Sequence, residues 1–259
     1  MNEKFGLDIT MDDAMRFSYG TDCFGPEPEF RALDSIRQSL LNNDCDGPEI
    51  VYSIVMDVGK KKHREKLNQM MLLFGVVGYA AGKLGLEPIR SQGHIHKISL
   101  HSGWSPPEVY EIWQGKATIY MQEYADDVPG RCFAVMAESG DVVIVPPGWA
   151  HATISADAST PLVFGAWCDR EYGFEYDKVR AHRGLAWYPL LNNNNQIEWQ
   201  ANSNYKKSEL IIKKPRNYYE DFAIYSEAPI YKQFEAMPET FQFVSKPGLK
   251  NEAWKNFVP

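Results

Sequence analysis

Gly93-His94-Ile95-His96, Glu108-Val109-Tyr110 and Pro146-Pro147-Gly148-Trp149-Ala150-His151 all lie within residues 93–155. Alternate residues of a β-strand point to one face, so a His-x-His pair aims two imidazoles the same way. Glu108 and His151 reach the same place from separate segments. Three imidazoles and one carboxylate make a mixed N/O donor set for a divalent first-row metal: iron, manganese, nickel or zinc. The candidate ligands are therefore His94, His96, Glu108 and His151. In an octahedral site they would leave positions open for water or substrate. Period-two alternation puts Glu108, Tyr110 and Ile112 on one face, and Val109, Glu111 and Trp113 on the other. Glu108 rather than Glu111 is the expected ligand, with Tyr110 beside it.

The 259 residues fit one large domain with extensions better than two full domains. A hydrophobic content of 44%, with 13% aromatic, supplies a sizeable core. A net charge of −7 leaves the whole chain without a nucleic-acid footprint, and an anionic substrate would need a local positive patch. Cys23, Cys45, Cys132 and Cys168 form no CxxC pair, which favours reduced thiols and a cytoplasmic setting. The start, Met-Asn-Glu-Lys-Phe-Gly, has no apolar signal core, and Met70–Ala81 is too short to span a bilayer. No membrane partner is expected.

Residues 1–47 read as an N-terminal arm with a short helix near Met11–Phe17. A second helix is expected over Glu29–Leu41, where Phe30, Leu33, Arg37, Leu40 and Leu41 recur at helical spacing. Ile50–Val58 and Met70–Tyr79 read as strands, with the charged run Lys60–Lys66 between them as a solvated loop. Glu87–Lys97 is expected as the strand bearing the two histidines. Ile98–Pro107 interrupts the ligand set and reads equally as a lid or a passive hairpin. Glu108–Gln122 forms a strand pair about Gly115, Cys132–Met136 returns, and Pro161–Cys168 is a further strand. A polar break at Asn192–Gln196 opens a C-terminal arm, 191–259, packed across the barrel or a partner subunit.

Gly140, Pro146, Gly148 and His151, with His94, His96, Glu108 and Gly115, resemble the two-part cupin signature. One departure is the spacing from His96 to Glu108, where most cupins have only a few intervening residues. More narrowly, residues 48–186 resemble the cupin-type (archaeal-type) glucose-6-phosphate isomerases, through Gly93–His96, Glu108–Tyr110 and Pro146–His151. The resemblance implies an all-β dominated chain: a cupin double-stranded β-barrel (jelly roll) over 48–190, with an N-terminal helix and a C-terminal extension. It implies a homodimer and a metal-dependent aldose–ketose isomerase acting on a small sugar phosphate, best taken as glucose 6-phosphate to fructose 6-phosphate. Glu108 and Tyr110 would be the catalytic pair, and Tyr52, Ser91, Gly93 and Tyr176 would meet substrate.

Three positions depart from the resemblance. Val76 and Val77 stand where paired threonines would help hold the phosphate, and Phe174 stands where a histidine would. A valine methyl donates no hydrogen bond. Arg90, Lys97 and Lys83 are the candidate substitutes. These departures motivate alternatives: an isomerase or epimerase of another sugar, or a non-catalytic sugar-binding cupin. A metal-dependent dioxygenase ranks last.

Overall fold

A computed structural model describes residues 3–259. The architecture is all-β dominated: a larger antiparallel sheet and a smaller one, antiparallel except for its last pair, pack face to face around an inner core. The larger sheet runs Val142–Val145, Glu108–Gln114, Leu162–Asp169, Leu72–Tyr79, Ile50–Lys60 and Cys23–Phe24, with Glu29–Ala32 also paired to Ile50–Lys60. The smaller runs Ala150–Ser155, Lys116–Gln122, Cys132–Glu138 and Leu210–Lys213. The chain passes between sheets at Gly115, whose φ of +77° a side chain would strain. A Cβ there would also come within 2.9 Å of the Pro161 carbonyl oxygen.

Alternation sorts the large sheet into two cores. Tyr52, Tyr110, Ile112, Phe164 and Ala166 face inward and pack with Ile119, Met121 and Phe133 of the small sheet. Phe74, Val76, Val109, Trp113, Ile144 and Trp167 face outward and are buried as well. What covers them is the two ends of the chain: Phe5, Leu7 and Ile9 on one side, Tyr231, Phe234, Phe241 and Phe243 on the other. The Trp167 ring stacks on Tyr231 at 5.5 Å and packs on Phe234 at 4.7 Å. Each such fully buried aromatic stabilises the fold by roughly 2–3 kcal/mol. Within the described residues the C-terminal arm thus packs across its own barrel.

Several local expectations are corrected. Residues 11–17 form no helix: Ile9–Met11 and Phe17–Tyr19 pair as a hairpin. The Asp12 carboxylate accepts from the Ala14 and Arg16 amides, a turn that competes with helix. The helix expected over 29–41 is also absent. Glu29–Ala32 instead joins the sheet, followed by 3₁₀ turns at Leu33–Ser35 and Arg37–Ser39. Leu33, Ile36 and Leu40 are buried, and a repeat near three fits a 3₁₀ turn as well as an α-helix. The 60–66 run is not solvated throughout. It docks the tail, with Lys60 Nζ 2.7 Å from Glu235 and His63 Nδ1 3.2 Å from the Tyr231 hydroxyl.

Glu111 is a carboxylate sealed against the outer core. Trp113 Nε1 and the Ile230 amide donate to it at 2.8 and 2.9 Å. Burial still wins, pushing its pKa from 4.5 up to about 7. A carboxyl whose pKa is raised on folding binds a proton that the unfolded chain releases. Its stabilising contribution is complete below pH 4.5 and is lost as pH rises through 7, by about 3 kcal/mol in all. Glu111→Gln is expected to be more stable than the parent at pH 8 and to lose less stability between pH 5 and 8. Thermal unfolding across that range reads this directly, and parallel curves for the two chains would refute it.

Candidate metal centre and substrate cavity

Residues 89–94 do not form the continuous strand expected over Glu87–Lys97. Gly93 takes φ +88°, and a Cβ on it would lie 2.8 Å from Leu185. The histidines converge all the same. His94 bridges to His151, each amide donating to the other's carbonyl at 3.0 and 2.9 Å. His96 follows on the short strand Ile95–His96. Glu108 opens the next strand of the large sheet, and His151 lies on Ala150–Ser155 of the small one. One donor atom from each of His94, His96, Glu108 and His151 lies within 4.8 Å of the others.

Hydrogen bonding fixes how these donors present themselves. His96 Nδ1 is 2.8 Å from the Pro106 carbonyl, and His151 Nδ1 is 3.0 Å from that of Trp149. A carbonyl only accepts, so each Nδ1 carries the proton and each Nε2 keeps its lone pair. Those lone pairs face inward, 3.3 and 3.4 Å from Glu108 Oε2. The buried Nε2 atoms of His94 and His151 have no hydrogen-bond partner. Buried polar atoms are rarely left so, and a cation among them would use both. Glu108 is aimed by two donors, the Tyr110 hydroxyl at 2.6 Å to Oε2 and the Cys168 thiol at 3.3 Å to Oε1.

The charge states of His94, His151 and Glu108 fit a metal as well. Burial, then the neighbouring imidazoles of His151 and His96, hold His94 well below the ordinary histidine value. Burial lowers His151 too, despite Glu108. His96 is desolvated but ends above its usual value, because Glu108 lies against it. For Glu108, burial pushes up, yet the imidazoles of His151 and His96 win and hold it well below the usual carboxylate range. Neutral imidazole and ionised carboxylate are the forms that bind a divalent cation.

The cavity beside this cluster is lined by Tyr52, Val77, Tyr79, Ser91, Thr153, Phe164, Tyr172, Phe174 and Tyr176, among others. Of the substrate contacts expected from sequence, Tyr52, Ser91 and Tyr176 line it, while Gly93 does not. Val76 is corrected: it faces outward into the other core, so Val77 alone meets the cavity. Arg90 is corrected as a phosphate candidate. It is buried and held by Glu87 at 2.6 Å and by the Ser39 and Ser91 carbonyls. Sequence reading missed Tyr79, Thr153 and Cys168. Thr153 was within reach of it, since alternation from His151 puts residue 153 on the same face.

The 98–107 insertion is a brace rather than a plain hairpin. Pro106 supplies the carbonyl that orients His96, and the Ser105 hydroxyl donates to the His96 carbonyl at 2.6 Å. Glu171 pins its far end, accepting from the His101 amide at 2.7 Å.

Purified chain stripped with a chelator should take up one divalent ion, with its thermal midpoint rising on loading. A hundredfold excess over Kd adds about 2.7 kcal/mol. His151→Ala and Glu108→Gln should each weaken uptake at least tenfold, read by titration and elemental analysis. Unchanged stoichiometry and affinity in both variants would refute the centre.

Known proteins bear on this geometry. The family model described as glucose-6-phosphate isomerase (GPI) matches residues 35–207. The glucose-6-phosphate isomerase of Pyrococcus furiosus is 27% identical over 154 residues, 60% of this chain and 74% of that protein. The Thermococcus litoralis enzyme is 28% identical over 54% of this chain and 65% of its own length. The Pyrococcus abyssi enzyme is 30% identical over 48% and 60%. Several of the isomerase relatives are spanned over less than two thirds of their length, down to 47%. Among solved structures, an oxalate oxidase superposes with a TM-score of 0.34 at 10% identity, over 48% of this chain and 53% of that one. A Bacillus subtilis oxalate decarboxylase gives 0.34 at 16%, over 50% and 29%. Likenesses that slight say nothing of function. The match over residues 35–207 takes in all four candidate ligands and most of the cavity wall, and the chain belongs to the glucose-6-phosphate isomerase family.

Proposed function

We propose that this chain is a metal-dependent aldose–ketose isomerase of a sugar phosphate, converting glucose 6-phosphate to fructose 6-phosphate. The observation that carries the reading is the four-donor cluster opening onto a cavity rich in hydroxyl groups. Family membership and the isomerases of Pyrococcus and Thermococcus support it. The same reading takes the working form to be a cytoplasmic homodimer. Among the described residues no helix is long and apolar enough to cross a membrane. The domain bounds of 1–47, 48–190 and 191–259 belong to the proposal too.

The reaction moves one hydrogen between C2 and C1 and shifts the carbonyl the other way. A divalent cation held by His94, His96, Glu108 and His151 would supply electrophilic polarisation of neighbouring substrate oxygens. Glu108 is the carboxylate at the reacting end, and Tyr110 donates to the oxygen it would use. Burial, with Glu108 beside it, pushes the Tyr110 hydroxyl well above the usual tyrosine value, so Tyr110 stays a proton donor. Cys168, raised by the same causes, keeps its proton and fixes the other oxygen. Phe174 and Val77 present apolar walls, which favour stacking on a sugar face over hydrogen bonding. That observation keeps a second reading, an isomerase or epimerase of another sugar.

The test is turnover by chain reconstituted with iron, manganese, nickel or zinc, on phosphorylated and free aldoses and ketoses. Fructose 6-phosphate from glucose 6-phosphate at the highest kcat/KM is expected. Glu108→Gln should lose at least a hundredfold in kcat, and Tyr110→Phe about tenfold. A metal-loaded chain that converts some other sugar far better would hand the case to the second reading. Full activity in Glu108→Gln would remove the assigned role.

A further inference from the structure

The hydroxyls lining the cavity are neutral, and the chain carries −7 overall. A phosphate dianion needs positive charge close by. Arg90 is spent on Glu87. Lys97 has its stem against Gly173, and Lys83 lies in a separate exposed two-residue strand. Two other arginines lie beside residues that line the cavity. Arg31 is paired in register with Tyr52, which is itself paired with Tyr79, so one row of the pleat carries all three. Arg31 thus lies directly across the strand pair from Tyr52, which lines the cavity. Arg180, on the short helix Asp177–Ala181, lies over the Tyr176 ring at 4.9 Å. Its Nε donates to the neutral Gln92 amide oxygen at 3.0 Å. Among the described residues no carboxylate lies within ion-pair distance of Arg180.

We propose that Arg31 and Arg180 form a cationic rim that grips the phosphate of the substrate and sets the preference for phosphorylated over free sugar. This rests on the reading above that a sugar phosphate is the ligand. The rim is placed for it, since the Tyr176 ring, which Arg180 covers, is 6.2 Å from the His94 ring. A sugar chain can therefore lie with its carbonyl end at the metal cluster and its phosphate at the mouth. Guanidinium suits the task because its planar fork donates two parallel hydrogen bonds to phosphate oxygens. Arg31 is available to do so. Its carboxylate partner Glu29, at 3.0 Å, is 62% exposed, and such pairs hold weakly in water. The rim takes over the work that a threonine at position 77 would otherwise share.

The test compares D-glucitol 6-phosphate with D-glucitol, open-chain probes that cannot isomerise, by calorimetric titration of metal-loaded chain. The phosphorylated probe is expected to bind at least a hundredfold more tightly. Arg31→Gln and Arg180→Gln should each cut that preference at least tenfold while leaving glucitol affinity and metal content unchanged. Arg31→Lys should keep part of it. Glu29→Gln, which frees Arg31, should tighten glucitol 6-phosphate about threefold. A preference kept within twofold in both arginine variants, or absent from the parent chain, overturns the rim. Loss of the preference in a chain that turns over no phosphosugar would support the rim and sink the isomerase reading. Turnover of glucose 6-phosphate with the preference untouched by either variant would do the reverse.

Discussion

Everything at the open end of the barrel depends on two backbone carbonyls. Pro106 and Trp149 each take the Nδ1 proton of a histidine, and so decide which way the lone pair of the other nitrogen points. Were either carbonyl turned away, the imidazole could carry its proton on Nε2, facing inward where a cation would sit. The fold supplies both carbonyls from irregular segments next to strands. Trp149 closes the Pro146–Gly148 turn, and Pro106 ends the long insertion. Sheets set the distances between donors, and turns set their tautomers.

The second constraint is desolvation. His94, His96, Glu108 and His151 share one largely buried spot, where a charge without hydrogen-bond partners would be expensive. The cluster answers by keeping His94 and His151 neutral and Glu108 ionised, with Tyr110 and Cys168 donating to its two oxygens. This leaves an electron-rich centre ringed by hydroxyls and aromatic walls. The Arg180 guanidinium lies beside this centre, over the Tyr176 ring that lines the cavity.

The ligand set was readable from the chain because it depends on local rules. Residues two apart on a strand share a face, and Glu108 with Tyr110 obeys that rule while Glu111 is turned outward. The family resemblance supplied the rest of the barrel. What escaped reading depends on distant partners. Glu29–Ala32 carries no strand signature of its own and becomes one because the edge of Ile50–Lys60 is open to it. Arg31 falls within the helix expected over Glu29–Leu41, an assignment that hides its register opposite Tyr52. Val76 and Val77 differ only in phase, and a bulge at Asp57 in the neighbouring strand is invisible in sequence.

The large sheet has no wet face, and this bears on how the chain is made. Phe74 and Trp167 of its outward row are covered by Tyr231, Phe234 and Phe241, which leave the ribosome after every strand of the barrel. Until they arrive, a nascent barrel shows water a broad aromatic wall, the kind of surface that draws chaperones or other unfinished chains. Synthesis therefore leaves the half that bears the histidine cluster waiting on the tail. A stalled or clipped product would carry every ligand and still be at risk of sticking to its neighbours.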